Sequence, residues 1–130
     1  MEAGIIKLDP ELLALLGNGE SGGIQPFARE IFVLNEFVAG TTYCEHLEDV
    51  IDQITPGAIL KLRRDPDNEA DEFAIGIYIG TCRIGWVPMK ENMVIAHLMD
   101  AGKAFTCKVV KVHCLGTWWK INVSIYMIDS

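Results

Sequence analysis

Nowhere does this 130-residue chain hold an apolar run near the roughly 18 residues that a membrane helix needs. Its opening, "MEAGIIKLDP", lacks the basic start and long apolar core of a signal peptide. The expectation is a soluble, cytoplasmic protein. The four cysteines, Cys44, Cys82, Cys107 and Cys114, include no CxxC pair, and without a secretion signal disulfides are not expected. His46 lies two residues after Cys44 and His113 adjoins Cys114, so the residue types for a zinc site exist. Structural zinc sites usually draw their ligands from close pairs, however. The ordinary reading of Cys107, in an alternating strand pattern, is a small buried thiol. There is no GxSxG elbow, no glycine-rich phosphate loop and no HExxH. The chain carries no enzyme signature and implies no cofactor.

Positive charge is scarce in the first half. Residues 1–60 hold only Lys7 and Arg29 against ten acids, residues 61–100 carry a net −2, and residues 101–130 a net +3, for −7 overall. Such a molecule repels nucleic acid at long range. That argues against a protein that coats duplexes, and less against one with a small binding pocket.

What is present suits one globular domain: half the residues are hydrophobic and about a fifth are charged. "DPELLALL" (9–16) predicts a short helix, with Asp9 as cap, Pro10 in the first turn and Gly17 as its end. "GNGESGG" (17–23) reads as a flexible linker. Residues 1–24 are therefore expected as a helix on a tether, and 25–130 as the domain proper. The helix could fold back on the domain, or dock on a protein partner or a second copy through residues 1–23.

Strands are expected over 29–40, 58–63, 73–80, 82–88, 104–114 and 117–128. The fifth slips phase near Val109 and Val110, predicting a bulge. In the sixth, Trp119, Ile121, Val123, Ile125 and Met127 share one face. Helices are expected over 46–54 and 89–103, the latter with Val94, Leu98 and Ala101 on its apolar side. His97 reads as a partly exposed helical histidine. About six short strands and two helices make a mainly β protein, a small closed or half-closed barrel.

Asp65, Asp67, Glu69, Asp71 and Glu72 crowd the segment "LRRDPDNEADEFAIGIY" (62–78). Three of them alternate as calcium ligands do in an EF-hand loop. Counted from Asp65, however, its required glycine is Ala70 and its bidentate glutamate is Gly76. "DPDN" is turn chemistry between two strands. Aromatic and basic side chains together (Tyr43, Trp86, Trp118, Tyr126, Lys90, Lys103, Lys108, Lys111, Lys120) suit a single-stranded nucleic acid, whose bases stack on aromatics beside cations. Tryptophans on barrels are more often core plugs.

"FVAGTTYC" (37–44), "LRRDPDNEADEFAIGIY" (62–78), "RIGWVP" (83–88) and "ENMVIAHLMDAG" (91–102), in that order, resemble the successive motifs of the HIRAN domain over about residues 30–125. The resemblance implies a six-stranded OB-like or SH3-like barrel with two helices. It also implies a module that captures the 3′-hydroxyl end of single-stranded DNA, found in Swi2/Snf2-type repair helicases and in free-standing bacterial proteins. Residue by residue, Tyr43 matches the aromatic that stacks on the terminal base. Thr42 stands where the family has arginine. Asp71 matches the carboxylate that accepts the terminal hydroxyl, with Asn68, Ala74 and Ile75 also kept. Ala70 replaces a tyrosine and Phe73 an asparagine. Trp86 offers a stacking surface after "IG", and Lys90 supplies the following cation. One lost platform and one lost cation would weaken binding by about two decades. The other expectation is a protein-interaction or self-association module that has lost DNA binding.

Overall fold

The computed structural model describes residues 29–129. The expected helix at 9–16, its linker, and any partner or dimer contact through residues 1–23 lie outside the described residues. Six strands follow in order: β1 (Arg29–Phe37), β2 (Ile59–Arg64), β3 (Ile75–Ile79), β4 (Cys82–Trp86), β5 (Ala104–Leu115) and β6 (Trp118–Asp129). Between β1 and β2 lie a 3-10 turn (Thr41–Tyr43), the short helix α1 (Leu47–Val50) and a second 3-10 turn (Ile51–Gln53). Helix α2 (Met89–Asp100) joins β4 to β5. The sheet order is β1-β6-β5-β2-β3-β4, and every neighbouring pair is antiparallel.

The two edges of this sheet meet at a single residue pair. Ala39 N–H donates to the Trp86 carbonyl at 2.8 Å, and Trp86 N–H donates back to Ala39 at 2.8 Å. The sheet thus becomes the half-closed barrel that the strand pattern suggests, and among the described residues its two edges share one contact. Gly85 makes the contact possible. A Cβ at that position would fall 2.6 Å from the Ala39 carbonyl oxygen and against Val38 Cγ1. At the other end of β1, Arg29 is the register partner of Asp129, and their exposed side chains pair at 3.0 Å.

Leu60, Ile75, Ile77, Ile84, Ile121 and Ile125 fill the barrel, with Ile95 of α2 packed into the same core. The bulge expected near Val109 and Val110 is present as a register shift between Val109 and Lys111. Ile121, Val123 and Ile125 are buried as their alternation predicts. Asn122 and Ser124, from the opposite face, are buried as well. Asn35 on β1 donates to Ser124 Oγ at 3.0 Å and accepts from Asn122 Nδ2 at 3.0 Å.

Two helix expectations need correction. The segment 46–54 is not one helix: Val50 leaves helical geometry (φ −120°, ψ 0°), and a 3-10 turn follows. Adjacent β-branched Val50 and Ile51 lose side-chain freedom in a helix, which favours the break. In α2 the buried ridge is Asn92, Ile95 and Ala96, with Met99 partly buried behind them. Val94, expected inside, is 65% exposed. The reason is the polar Asn92, only 2% exposed, which turns inward to bond the acidic turn. A count of apolar spacing passes over it. No helix among the described residues is long and apolar enough to cross a membrane.

Candidate nucleic-acid interface

The segment "VAGTTYC" leaves β1 and is fixed from both sides. Val38 N–H donates to Ile121 O at 2.9 Å, and the buried Thr41 hydroxyl donates to Trp119 O at 3.0 Å. Gly40 takes φ +73°, a left-handed geometry that side chains disfavour, and Tyr43 N–H closes the turn onto its carbonyl at 3.0 Å. With Thr41 anchored inward, Thr42 and Tyr43 face solvent, Tyr43 at 82% exposure. A Cβ on Gly40 would lie 3.1 Å from Trp86 Cδ1 and 3.9 Å from Tyr43 Cδ2. The two aromatics named by the motifs therefore converge on one glycine, at the point where the barrel closes. The Arg83 guanidinium already covers one face of Trp86, 4.5 Å from the ring centroid.

The acidic turn is organised by its own side chains. Asn68 Oδ1 accepts the N–H groups of Ala70 at 2.9 Å and Asp71 at 3.1 Å. Asp71 Oδ1 accepts from Phe73 N–H at 2.9 Å, and Asp71 Oδ2 accepts from Asn92 Nδ2 at 2.6 Å. Arg64 straps the same turn to the other end of α2. It forks onto Asp100 at 2.9 and 3.2 Å and donates to the Ala74 and Glu72 carbonyls. The hydrogen bond from Arg64 holds the Asp100 carboxyl below its ordinary range. Asp71 is thus a tie between turn and helix. Those two bonds use about two of its roughly four acceptor directions. Among the described contacts, Asp71 touches neither Tyr43 nor Trp86. Lys90 lies 3.3 Å from Glu36 Oε2 at the end of β1, and no side chain caps the first turn of α2 beside it. Uncapped N–H groups at a helix start favour anions.

A cleft of about 690 Å³ opens next to Tyr43, between the α1 segment and the β3–β4 hairpin, with Cys44, His46, Tyr78, Cys82 and Arg83 among its walls. Glu45 and Asp49 also line it. His46 pairs with Asp49 at 3.2 Å. Burial pushes the Cys44 thiol up, opposed by Arg83, and pushes Cys107 up to about 12. No group of three or more His, Cys, Asp or Glu suited to a metal ion occurs among the described residues. His97 packs against Phe73, with ring centroids 5.2 Å apart.

Tyr78, Arg63 and Arg83 also stand at this surface, although no motif assigns them a binding role. Arg63 stacks over Tyr78 at 5.1 Å, as Arg83 does over Trp86. The outward phase of Tyr78 in "FAIGIYIG" was the available signal. The pairing itself depends on strand register.

The HIRAN domain family profile matches residues 31–127, most of the chain. No curated protein matches. Among solved structures, a protein from Lactobacillus plantarum aligns with a TM-score of 0.72 at 17% identity, covering 79% of this chain and 99% of its own. The HIRAN domain of human HLTF aligns with a TM-score of 0.65 at 16% identity, covering 82% of this chain and 84% of its own. At such identities the two structures speak for the fold.

Proposed function

The chain belongs to the HIRAN domain family of nucleic-acid-binding modules, and from that premise we propose that it binds single-stranded DNA, with selectivity for a 3′-hydroxyl end, as a non-catalytic module of DNA repair or replication-fork processing. The observation that carries the reading is the convergence of Tyr43 and Trp86 on Gly40. An exposed tyrosine backed by a glycine and a tryptophan is a stacking platform for an unpaired terminal base. Lys90 and the uncapped start of α2 are the donors suited to the adjoining phosphate. Asp71 keeps acceptor capacity for the terminal hydroxyl. Its carboxylate cannot welcome a phosphate there, because like charges repel. Thr42, where a cation would strengthen phosphate contact, makes this a weak binder.

Fluorescence polarisation at low salt, with matched oligonucleotides ending in 3′-hydroxyl or 3′-phosphate and a blunt duplex, tests the proposal. The hydroxyl-ended single strand should bind tightest, with the phosphate end about tenfold or more weaker, the cost of one charge-assisted hydrogen bond. Equal binding of both ends overturns the end selectivity. No binding of any of them at high micromolar protein overturns the function.

A further inference from the structure

Three neighbouring strands carry two arginine–aromatic pairs next to the Tyr43 platform. In register, Arg63 on β2 faces Gly76 on β3, which faces Trp86 on β4; one step along, Lys61 faces Tyr78, which faces Arg83. The side chains cross between these rows. Arg63 lies over Tyr78 at 5.1 Å, and Arg83 lies over Trp86 at 4.5 Å. Gly76 is the gap they fill. A Cβ there would stand 2.8 Å from Tyr78 Cε1 and 3.4 Å from Arg83 Cδ. The fully buried Ile75, Ile77 and Ile84 put this surface on the outside of the barrel.

Both arginine–aromatic pairs among the described residues lie on this face, with Lys61 beside them. In a molecule of net charge −7, none of the ion pairs among the described residues engages Lys61, Arg63 or Arg83. Arg29, Arg64, Lys90 and Lys108 do meet a carboxylate, while Lys103, Lys111 and Lys120, like the three cations of this face, stand outside those ion pairs. Two acids, Glu45 and Asp49, line the cleft on its α1 side, and Asp49 is paired with His46. A guanidinium held over an aromatic ring is preorganised. Its outer plane can stack a base, and its edge can grip a phosphate with paired donors.

We propose that the outer face of β2, β3 and β4 is a second nucleic-acid contact, which holds the stretch of single strand leading up to the end bound at Tyr43 and Trp86. This rests on the end-binding reading and extends it from a terminal pocket to a track of about four nucleotides. Arg63 and Arg83 contact phosphates through their edges and bases through their planes, and Lys61 adds a third charge.

The test compares 3′-hydroxyl oligothymidines of three and eight residues by anisotropy competition over a salt series, with a 3′-phosphate version of each. The wild type should prefer the longer strand by about tenfold or more, since each added stacked base is worth that order. In Arg63→Gln/Arg83→Gln that ratio should fall to near one, whatever the affinity for the short strand. The slope of log affinity against log salt for the long strand should shrink by about 0.7 per lost phosphate contact. Arg63→Lys/Arg83→Lys should keep the slope and lose part of the ratio, because lysine keeps charge without a stacking plane. A wild-type ratio near one overturns the track, as does a steep ratio that survives the glutamine variant. Hydroxyl-over-phosphate selectivity of the short strand is read separately, so the end site can stand while the track falls. Absence of binding at every length overturns both.

Discussion

Replacing Gly85 by alanine tests the barrel's closure and the site together. The added methyl has no free space: its carbon would sit 2.6 Å from the Ala39 carbonyl oxygen, a backbone atom, and press on Val38 Cγ1. Relief requires the β4 edge to move away from the segment after β1. That movement strains or breaks the two reciprocal Ala39–Trp86 hydrogen bonds, each 2.8 Å long. Overpacking of this kind costs about 1–3 kcal/mol, and each lost backbone bond adds about 1 kcal/mol. A total near 3–5 kcal/mol is a large part of the roughly 5–15 kcal/mol that holds a domain of this size together. With a urea m-value of about 1–3 kcal/mol/M, the unfolding midpoint should fall by about 2 M at an unchanged slope. Oligonucleotide binding should weaken in the fraction that stays folded, because Trp86 would no longer be held against Gly40. A midpoint within about 0.3 M of wild type would refute the claim that this contact closes the barrel.

Other outcomes follow from the same geometry. Tyr43→Ala should leave stability nearly unchanged, since the ring is 82% exposed, yet weaken single-strand binding by about tenfold in polarisation assays. Thr42→Arg should tighten binding several-fold and raise its salt dependence by about 0.7, one phosphate contact on a single strand. Asp71→Asn replaces an acceptor facing Asn92 Nδ2 and the Phe73 N–H, so chemical denaturation should show a loss of about 1.5–3 kcal/mol. Asp100 has a folded pKa depressed below its ordinary 3.8 by the Arg64 hydrogen bond, so its contribution is complete above pH 3.8 and is lost as pH falls toward the folded value. Acid titration of Asp100→Asn should lack that part of the wild-type transition below pH 3.8, and identical acid limbs would refute the assignment.

Much of the fold is visible in the chain's own periodicities. The β5–β6 hairpin declares itself through alternation, and even its bulge at Val109–Lys111 shows as a slip of phase. Helix α2 is legible as a helix, but its inward face is not. Asn92 is buried for a hydrogen bond to a residue 21 positions away, and no local pattern contains that partner. The site divides in the same way. Tyr43 and Trp86 were legible because their motifs are local, and the structure brings them together. Arg63, Tyr78 and Arg83 were not singled out, because their stacking depends on which residues three strands place opposite one another. A register irregularity between Ile77 and Tyr78 sets that arrangement as well. The family motif presents Asp71 as a ligand acceptor, yet two of its partners belong to the fold itself.

The pairing of Arg29 with Asp129 has a consequence for how such a unit is used. Being exposed, the ion pair adds little stability. Its value is positional: the first and last described residues, Arg29 and Asp129, meet on adjacent strands. A unit with coincident ends can sit inside a larger polypeptide without forcing the flanking parts apart, as grafted domains require. The barrel is in this sense a portable cassette.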